Sequence, residues 1–161
     1  MNPKLNERIC KASLFVLGLV AICGLCLGDV VVNEVELSPP DNATVWVELY
    51  NSENNTVDLA GWTVKIEDKP WAGLIPLNGT IGPNGFYVAE GQPRWVTAGN
   101  GTIYLIDSAG NNVDKTPMLN DKGRNDFTYG RMPDGKKTDT RADFAFMMGT
   151  KGRPNNTGML R

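Results

Sequence analysis

Apolar and polar side chains alternate along most of this chain beyond residue 29. From Val45 to Tyr50, Val45, Val47 and Leu49 share one face of an extended segment while Trp46, Glu48 and Tyr50 share the other. This is the period of two that a β-strand imposes. After the polar run Asn51 to Asn55, Val57, Leu59, Trp62 and Val64 resume the apolar pattern around Gly61, whose missing Cβ suits a bulge or tight bend. The close spacing predicts that these two strands pair as a hairpin, with Trp46 and Trp62 as core anchors. Val30 to Leu37 reads as the first strand, with Val31, Asn33, Val35 and Leu37 on one face. That phase makes Asn33 a third core anchor, held by backbone hydrogen bonds.

Turn chemistry divides the rest. Ser38, Pro39, Pro40 and Asp41 end the first strand, since proline lacks the amide a ladder needs. Thr63 to Glu67 continues as a strand, and the stretch from Lys69 to Pro76 reads as a loop carrying a short strand. Gly82-Pro83-Asn84-Gly85 is a turn before the strand Phe86 to Glu90. Thr102 to Asp107 alternates, Ser108 to Asn112 turns, and Val113 to Lys115 returns. Asn120 to Asp126 is a polar loop, and Phe127 to Met132 and Ala142 to Met148 flank the turn Pro133-Asp134-Gly135. No helical period runs through ten residues after Gly28. Seven or more short strands at this spacing predict an all-β, Ig-like antiparallel β-sandwich.

The first 28 residues obey a different rule. Lys4, Arg8 and Lys11 stand against the single acid Glu7, and the sixteen residues Ser13 to Gly28 carry no charge. This is the layout of a signal peptide, with Cys26 and Gly28 as small residues before a cut at Asp29. An uncleaved membrane anchor through residues 12–28 is the alternative, although the stretch is just short of the ~20 residues a comfortable span needs. Residues 1–28 are therefore read as a signal peptide or anchor and 29–161 as the domain. The protein is expected to be secreted or at the cell surface.

Composition narrows the chemistry. The 161 residues include no histidine, and all three cysteines (Cys10, Cys23 and Cys26) precede residue 29. A domain without either type is a poor candidate for zinc chemistry or a nucleophile–histidine pair. No cofactor is expected. The formal charge of −2 hides an uneven spread, with acids in excess up to Asn100 and bases beyond it.

An ordered set of motifs then points to a family. VVVNEVEL (Val30 to Leu37), WVELYN (Trp46 to Asn51), VDLAGW (Val57 to Trp62), IGPNGFYVA (Ile81 to Ala89), YLIDSAGNNVD (Tyr104 to Asp114), GRMPDG (Gly130 to Gly135) and TKGRPN (Thr150 to Asn155) resemble the lamin-tail domain, an Ig-like module found in nuclear lamins and in exported bacterial and archaeal proteins. Lys151, where the family usually has proline, and the Lys69 to Asn78 insert depart from its pattern. The resemblance implies an exported prokaryotic member that binds proteins, DNA or membranes and has no catalytic residues.

Several residues remain as candidate chemistry. Asn42, Asn54, Asn78, Asn100 and Asn155 each open an N-x-T sequon and, behind an export signal, are candidate N-glycosylation sites. Glu34, Glu36 and Glu48 fall on neighbouring strands, where a buried pair could do acid–base work or hold calcium, and where solvated or strand-bracing roles are the plainer reading. The loops DSAGNN (Asp107 to Asn112) and NDKGRND (Asn120 to Asp126) lack calcium-loop spacing. Lys115, Lys122, Arg124, Arg131, Lys136, Lys137, Arg141, Lys151, Arg153 and Arg161 would favour nucleic acid or another anionic polymer if they converged on one face. Trp71 and Trp95 are candidate sugar platforms or covers for the sandwich ends. The expectation is a non-catalytic exported module whose partner is an unknown protein or surface polymer, with a secreted hydrolase or nuclease as the rival.

Overall fold

The computed structural model describes residues 30–41, 43–93, 95 and 97–155. The predicted signal segment lies outside them, as do Asn42 and Arg161. Twelve strands run in chain order: β1 (Val30–Glu36), β2 (Trp46–Asn51), β3 (Val57–Asp58), β4 (Thr63–Asp68), β5 (Trp71–Pro76), β6 (Thr80–Ile81), β7 (Phe86–Glu90), β8 (Asn100–Ile106), β9 (Asn112–Lys115), β10 (Leu119–Asn120), β11 (Phe127–Arg131) and β12 (Phe144–Met148). Among the described residues a single 3-10 turn, Arg141–Asp143, precedes β12.

Every pairing is antiparallel. One sheet has the order β12-β11-β1-β2-β7. The other has the order β10-β8-β4-β5, with β9 beside β10 along the same edge of β8, and β3 and β6 form a two-stranded ribbon. Val32, Val35, Val47 and Leu49 of the first sheet join Val64, Ile66, Ile103 and Leu105 of the second in one buried cluster, which Leu59, Leu77 and Ile81 extend. Each such side chain taken from water contributes roughly 1.5–3 kcal/mol before entropy is counted, and this shared burial holds the two sheets together.

The expected hairpin does not form. β2 pairs with β1 and β7, while β4 pairs with β5 and β8 in the opposite sheet. The polar run between them is a crossover organised by buried Asn51. Its amide nitrogen donates to the carbonyls of Asn55, Ile81 and Gly82 at 2.8, 3.2 and 3.1 Å, and its oxygen accepts from the Glu53 amide at 3.0 Å. Gly61 turns the chain at φ +78, where an added Cβ would sit 3.2 Å from that of Ser108. The hairpin partner of β4 is instead β5, a full six-residue strand where the sequence suggested mostly loop. Short spacing is common to hairpins and to crossovers, and here the long-range partners of Asn51 and of the two strands mark a crossover.

The two indoles therefore do not share a core. Trp46 is buried at 7% exposure but lies outside the inter-sheet cluster, and Trp62 is half-buried at the edge of that cluster. Asn33 is also displaced from the expected face. The β1–β2 register shifts between Val32 and Glu34, so Asn33 is the extra residue of a bulge. Val30 and Val32 enter the core before it, and Val35 and Leu37 after it.

Candidate functional site

The bulge sets up a polar cluster on the outer face of the first sheet. Glu34 stands opposite Glu48, and Glu36 opposite Trp46, across the β1–β2 ladder. All three glutamates are buried, Glu34 and Glu48 at 0% exposure. What seals Glu34 and Glu48 is the segment after β12, together with Thr128 of β11. Glu34 Oε1 accepts from the Thr128 hydroxyl at 2.5 Å and the Thr150 amide at 2.8 Å, and its Oε2 accepts from the Thr150 hydroxyl at 2.8 Å. Glu48 Oε1 accepts from the Asn33 amide group at 3.1 Å and its Oε2 from the Gly152 main-chain amide at 2.6 Å.

Asn155 pins the far end of this strap. Its side-chain nitrogen donates to the Arg131 carbonyl at 2.9 Å, its main-chain amide donates to Asp134 at 3.1 Å, and its oxygen lies 2.8 Å from the Thr150 hydroxyl, whose single proton it shares with Glu34 Oε2. Gly130 is required beneath it, because a Cβ there would lie 2.7 Å from the Asn155 nitrogen. Lys151 crosses the top, with Nζ 5.4 Å from the Trp46 ring centre and 2.7 Å from Glu90.

Burial without a cation shifts these acids upward. Desolvation raises Glu34 against the hydrogen bonds from Thr128 and Thr150. It raises Glu48 from 4.5 to about 7 against the bonds from Asn33 and Gly152, and Glu36 from 4.5 to about 8 against the Ser38 amide. The negative charge of Asp121 adds to the rise in Glu36. Asp121 is itself buried and raised by desolvation. Its Oδ2 finds no conventional donor, but the Glu36 carboxyl faces it. A proton kept on Glu36 at neutral pH supplies the missing donor.

A second cluster lies between the sheets and has the opposite character. Arg131 is 1% exposed. Its guanidinium donates to Asp114 at 3.0 and 3.3 Å, to Asp143 at 3.2 Å and to the Val32 carbonyl at 2.7 Å, and it lies 4.6 Å from the Phe144 ring centre. Asp114 also accepts from the Val32 amide at 2.8 Å. The cluster thus serves the main-chain groups of β1 beside the bulge. Asp143 is pushed up by burial but held below its ordinary value overall by bonds from Thr138 and Thr140 and by Arg131.

The remaining predicted residues scatter. Asn54 and Asn78 are exposed in connecting segments. Asn100 opens β8, with its oxygen accepting from Asn120 at 2.5 Å. The Asn155 amide is committed to the strap. Asp107 spends its carboxylate on its own turn, accepting from the amides of Ala109 and Asn111. Trp71 and Trp95 meet edge to face at 5.2 Å and pack on the core, covering the sandwich end.

Among the described residues, several of the bases are committed to acids or to the interior. Arg131 is buried, Lys136 and Lys137 lie 3.7 and 3.9 Å from Asp143 and Asp114, Lys151 binds Glu90, and Arg124 lies 3.7 Å from Asp41. Among the described residues no three acid, histidine or cysteine side chains converge as a metal would require, and no helix is long and apolar enough to cross a membrane. Asp143 is not singled out in the sequence, Asp121 appears only within the polar loop Asn120 to Asp126, and Asp114 and Thr150 only as ends of family motifs. Their roles depend on strands far apart in the chain.

The lamin tail domain family model matches residues 27–118. The chain belongs to the lamin tail domain family. Its members are non-catalytic Ig-like modules, in keeping with the two antiparallel sheets seen here. The matched residues run through β9, so β10 to β12 and the sealing strap lie beyond them. No curated protein matches the chain.

Proposed function

We propose that this lamin tail domain is an exported binding or structural module that works at the cell surface without catalysis. The observation that carries the reading is the sealing of Glu34 and Glu48. All four carboxylate oxygens of the best acid–base pair are occupied, and neither side chain meets solvent. A general acid or base must reach its substrate, so the pair braces the strap rather than reacting. The charged amino-terminal residues and the uncharged stretch after them support export, and Asn54 and Asn78 offer exposed side chains for glycans.

Intact mass of protein recovered from its native host tests this reading. The expected mass lacks the first 28 residues and carries glycan, with Asn155 unmodified; an unprocessed, unmodified chain would overturn the export proposal. Turnover of nucleic acid or polysaccharide by the purified protein, lost on Glu48→Gln, would overturn the non-catalytic one.

An anionic-polymer partner is the second reading, and one observation favours it. Lys65 and Lys115 flank the Tyr104 ring at 5.3 and 5.2 Å on adjacent strands of the second sheet, pairing an aromatic platform with two cations. Retention on heparin at low salt, weakened by Lys115→Ala, is its signature. Passage through the column unretained removes it.

A further inference from the structure

We infer that β12 is a self-association strand, pairing antiparallel with β12 of a second copy of this chain about a two-fold axis at Met147. The argument starts from where the strand's main-chain groups point. The Gly149 amide donates to the Asp126 carbonyl and the Met132 amide to the Asp143 carbonyl, and the β11–β12 register pairs Thr128 with Met147 and Gly130 with Ala145. Alternation between these fixed points turns Ala145 and Met147 toward β11 and turns Phe144, Phe146 and Met148 away from it. Phe144 is already served, because its amide donates to the Arg141 carbonyl and its own carbonyl accepts from the Arg141 side chain. The N–H and C=O of Phe146 and Met148 are left on an open edge, since β12 ends the sheet.

The strand also lacks the usual guards. Its sequence, FAFMM, contains no charge and no proline, and Phe146 and Met148 are 41% and 39% exposed. The other edges are blunted. β5 ends in Pro76, β7 ends in Glu90 under Lys151, and Pro117 interrupts the edge formed by β9 and β10. Natural sheets avoid long, uncharged apolar edges because such edges recruit further strands.

A second copy fits this edge. Antiparallel pairing about Met147 sets Phe146 of one copy opposite Met148 of the other and the reverse, so each free N–H meets a free C=O. No like charges face one another. The two Phe146 rings, each already packed on Phe127 and Tyr129 at 5.4 and 5.0 Å, extend one apolar strip across the join. A two-fold contact closes on itself and so gives a dimer rather than a fibre. None of the five sequons lies on β12. The contact is small beside a standard interface of ~1,200–2,000 Å², so the dimer depends on concentration.

Sedimentation of the protein as recovered from its native host tests the inference over ~10 µM to ~1 mM. The expected result is a monomer–dimer equilibrium, shifted at least tenfold toward monomer by Phe146→Lys, which sets charges together at the join. Met148→Pro removes only an outward N–H, leaves the β11 ladder whole and also yields monomer. Unchanged circular dichroism spectra confirm that both variants fold. In the wild type, amide exchange at Phe146 and Met148 slows as concentration rises. A wild-type chain that stays monomeric throughout overturns the inference. So does a dimer that survives both substitutions, or growth into larger species.

Discussion

Two buried polar clusters flank β1, equally dry and opposite in how they hold charge. Between the sheets, Arg131 lies against Asp114 and Asp143, so acids and base are paired within 3.0 to 3.2 Å. On the outer face Glu34, Glu36 and Glu48 have no cation beside them and are held by hydroxyls, amides and a retained proton. The first cluster needs its charges; the second needs them suppressed. Burial alone does not determine ionisation, because a desolvated carboxyl takes whichever partner the neighbouring elements supply. The pairing also suits position. Arg131 and Asp114 come from different sheets and tie them together at the bulge, whereas Glu34 and Glu48 are covered by a strap of one segment.

Arg131→Met should separate the clusters most sharply. It leaves Asp114 and Asp143 buried without their guanidinium, and a loss of about 3–5 kcal/mol in urea unfolding is expected. A loss below ~1 kcal/mol would show that the inter-sheet cluster is incidental. Asn155→Ala is next, at about 1–3 kcal/mol, because it leaves the buried Arg131 carbonyl without that donor. It should also speed amide exchange at Thr150 and Gly152, the donors to Glu34 and Glu48.

Titration distinguishes the clusters by sign. Carboxyls raised by the fold add stability that is complete below their ordinary value of 4.5 and is lost as pH climbs through about 7 for Glu48 and about 8 for Glu36. The depressed Asp143 works the other way, adding stability that disappears as pH falls through its folded value. The melting temperature should therefore fall by roughly 5 °C between about pH 6 and pH 9. Glu36→Gln should flatten that slope, since a glutamine amide donates to Asp121 at every pH. A slope unchanged in Glu36→Gln and Glu48→Gln together would place its origin elsewhere. Lys151→Ala should have the smallest effect, under about 1 kcal/mol, because the Lys151 ammonium and its partner Glu90 are open to solvent and screened by salt.

The resemblance was legible in short motifs, and the strands in alternation, because both are local. Val45 to Tyr50 could be assigned from six residues, and the turn Gly82 to Gly85 from four. Sites were harder. The sequence pointed to Glu34 and Glu48 as neighbours, which the ladder bears out, but not to the strap over them, which arrives from more than a hundred residues away. Asn155 read as a glycan acceptor because a sequon is a local signal, while its use as a pin depends on Arg131 and Asp134. The bulge at Asn33 split the expected face of β1: Val35 and Leu37 after it lie in the core as the alternation predicts, while before it Val30 and Val32 take the place expected of Val31, since one inserted residue shifts the two-residue period.

The chain itself determined an all-β body, its turns and the absence of histidine and thiol chemistry beyond residue 29, because residue type and spacing dictate local backbone preference and the available functional groups. Tertiary structure decided that β2 and β4 part to opposite sheets, that Trp46 is covered by Lys151 and not by the core, and that three glutamates stay protonated or amide-bound. Those outcomes depend on which distant segment excludes water from a side chain, and desolvation is a property of the packed molecule.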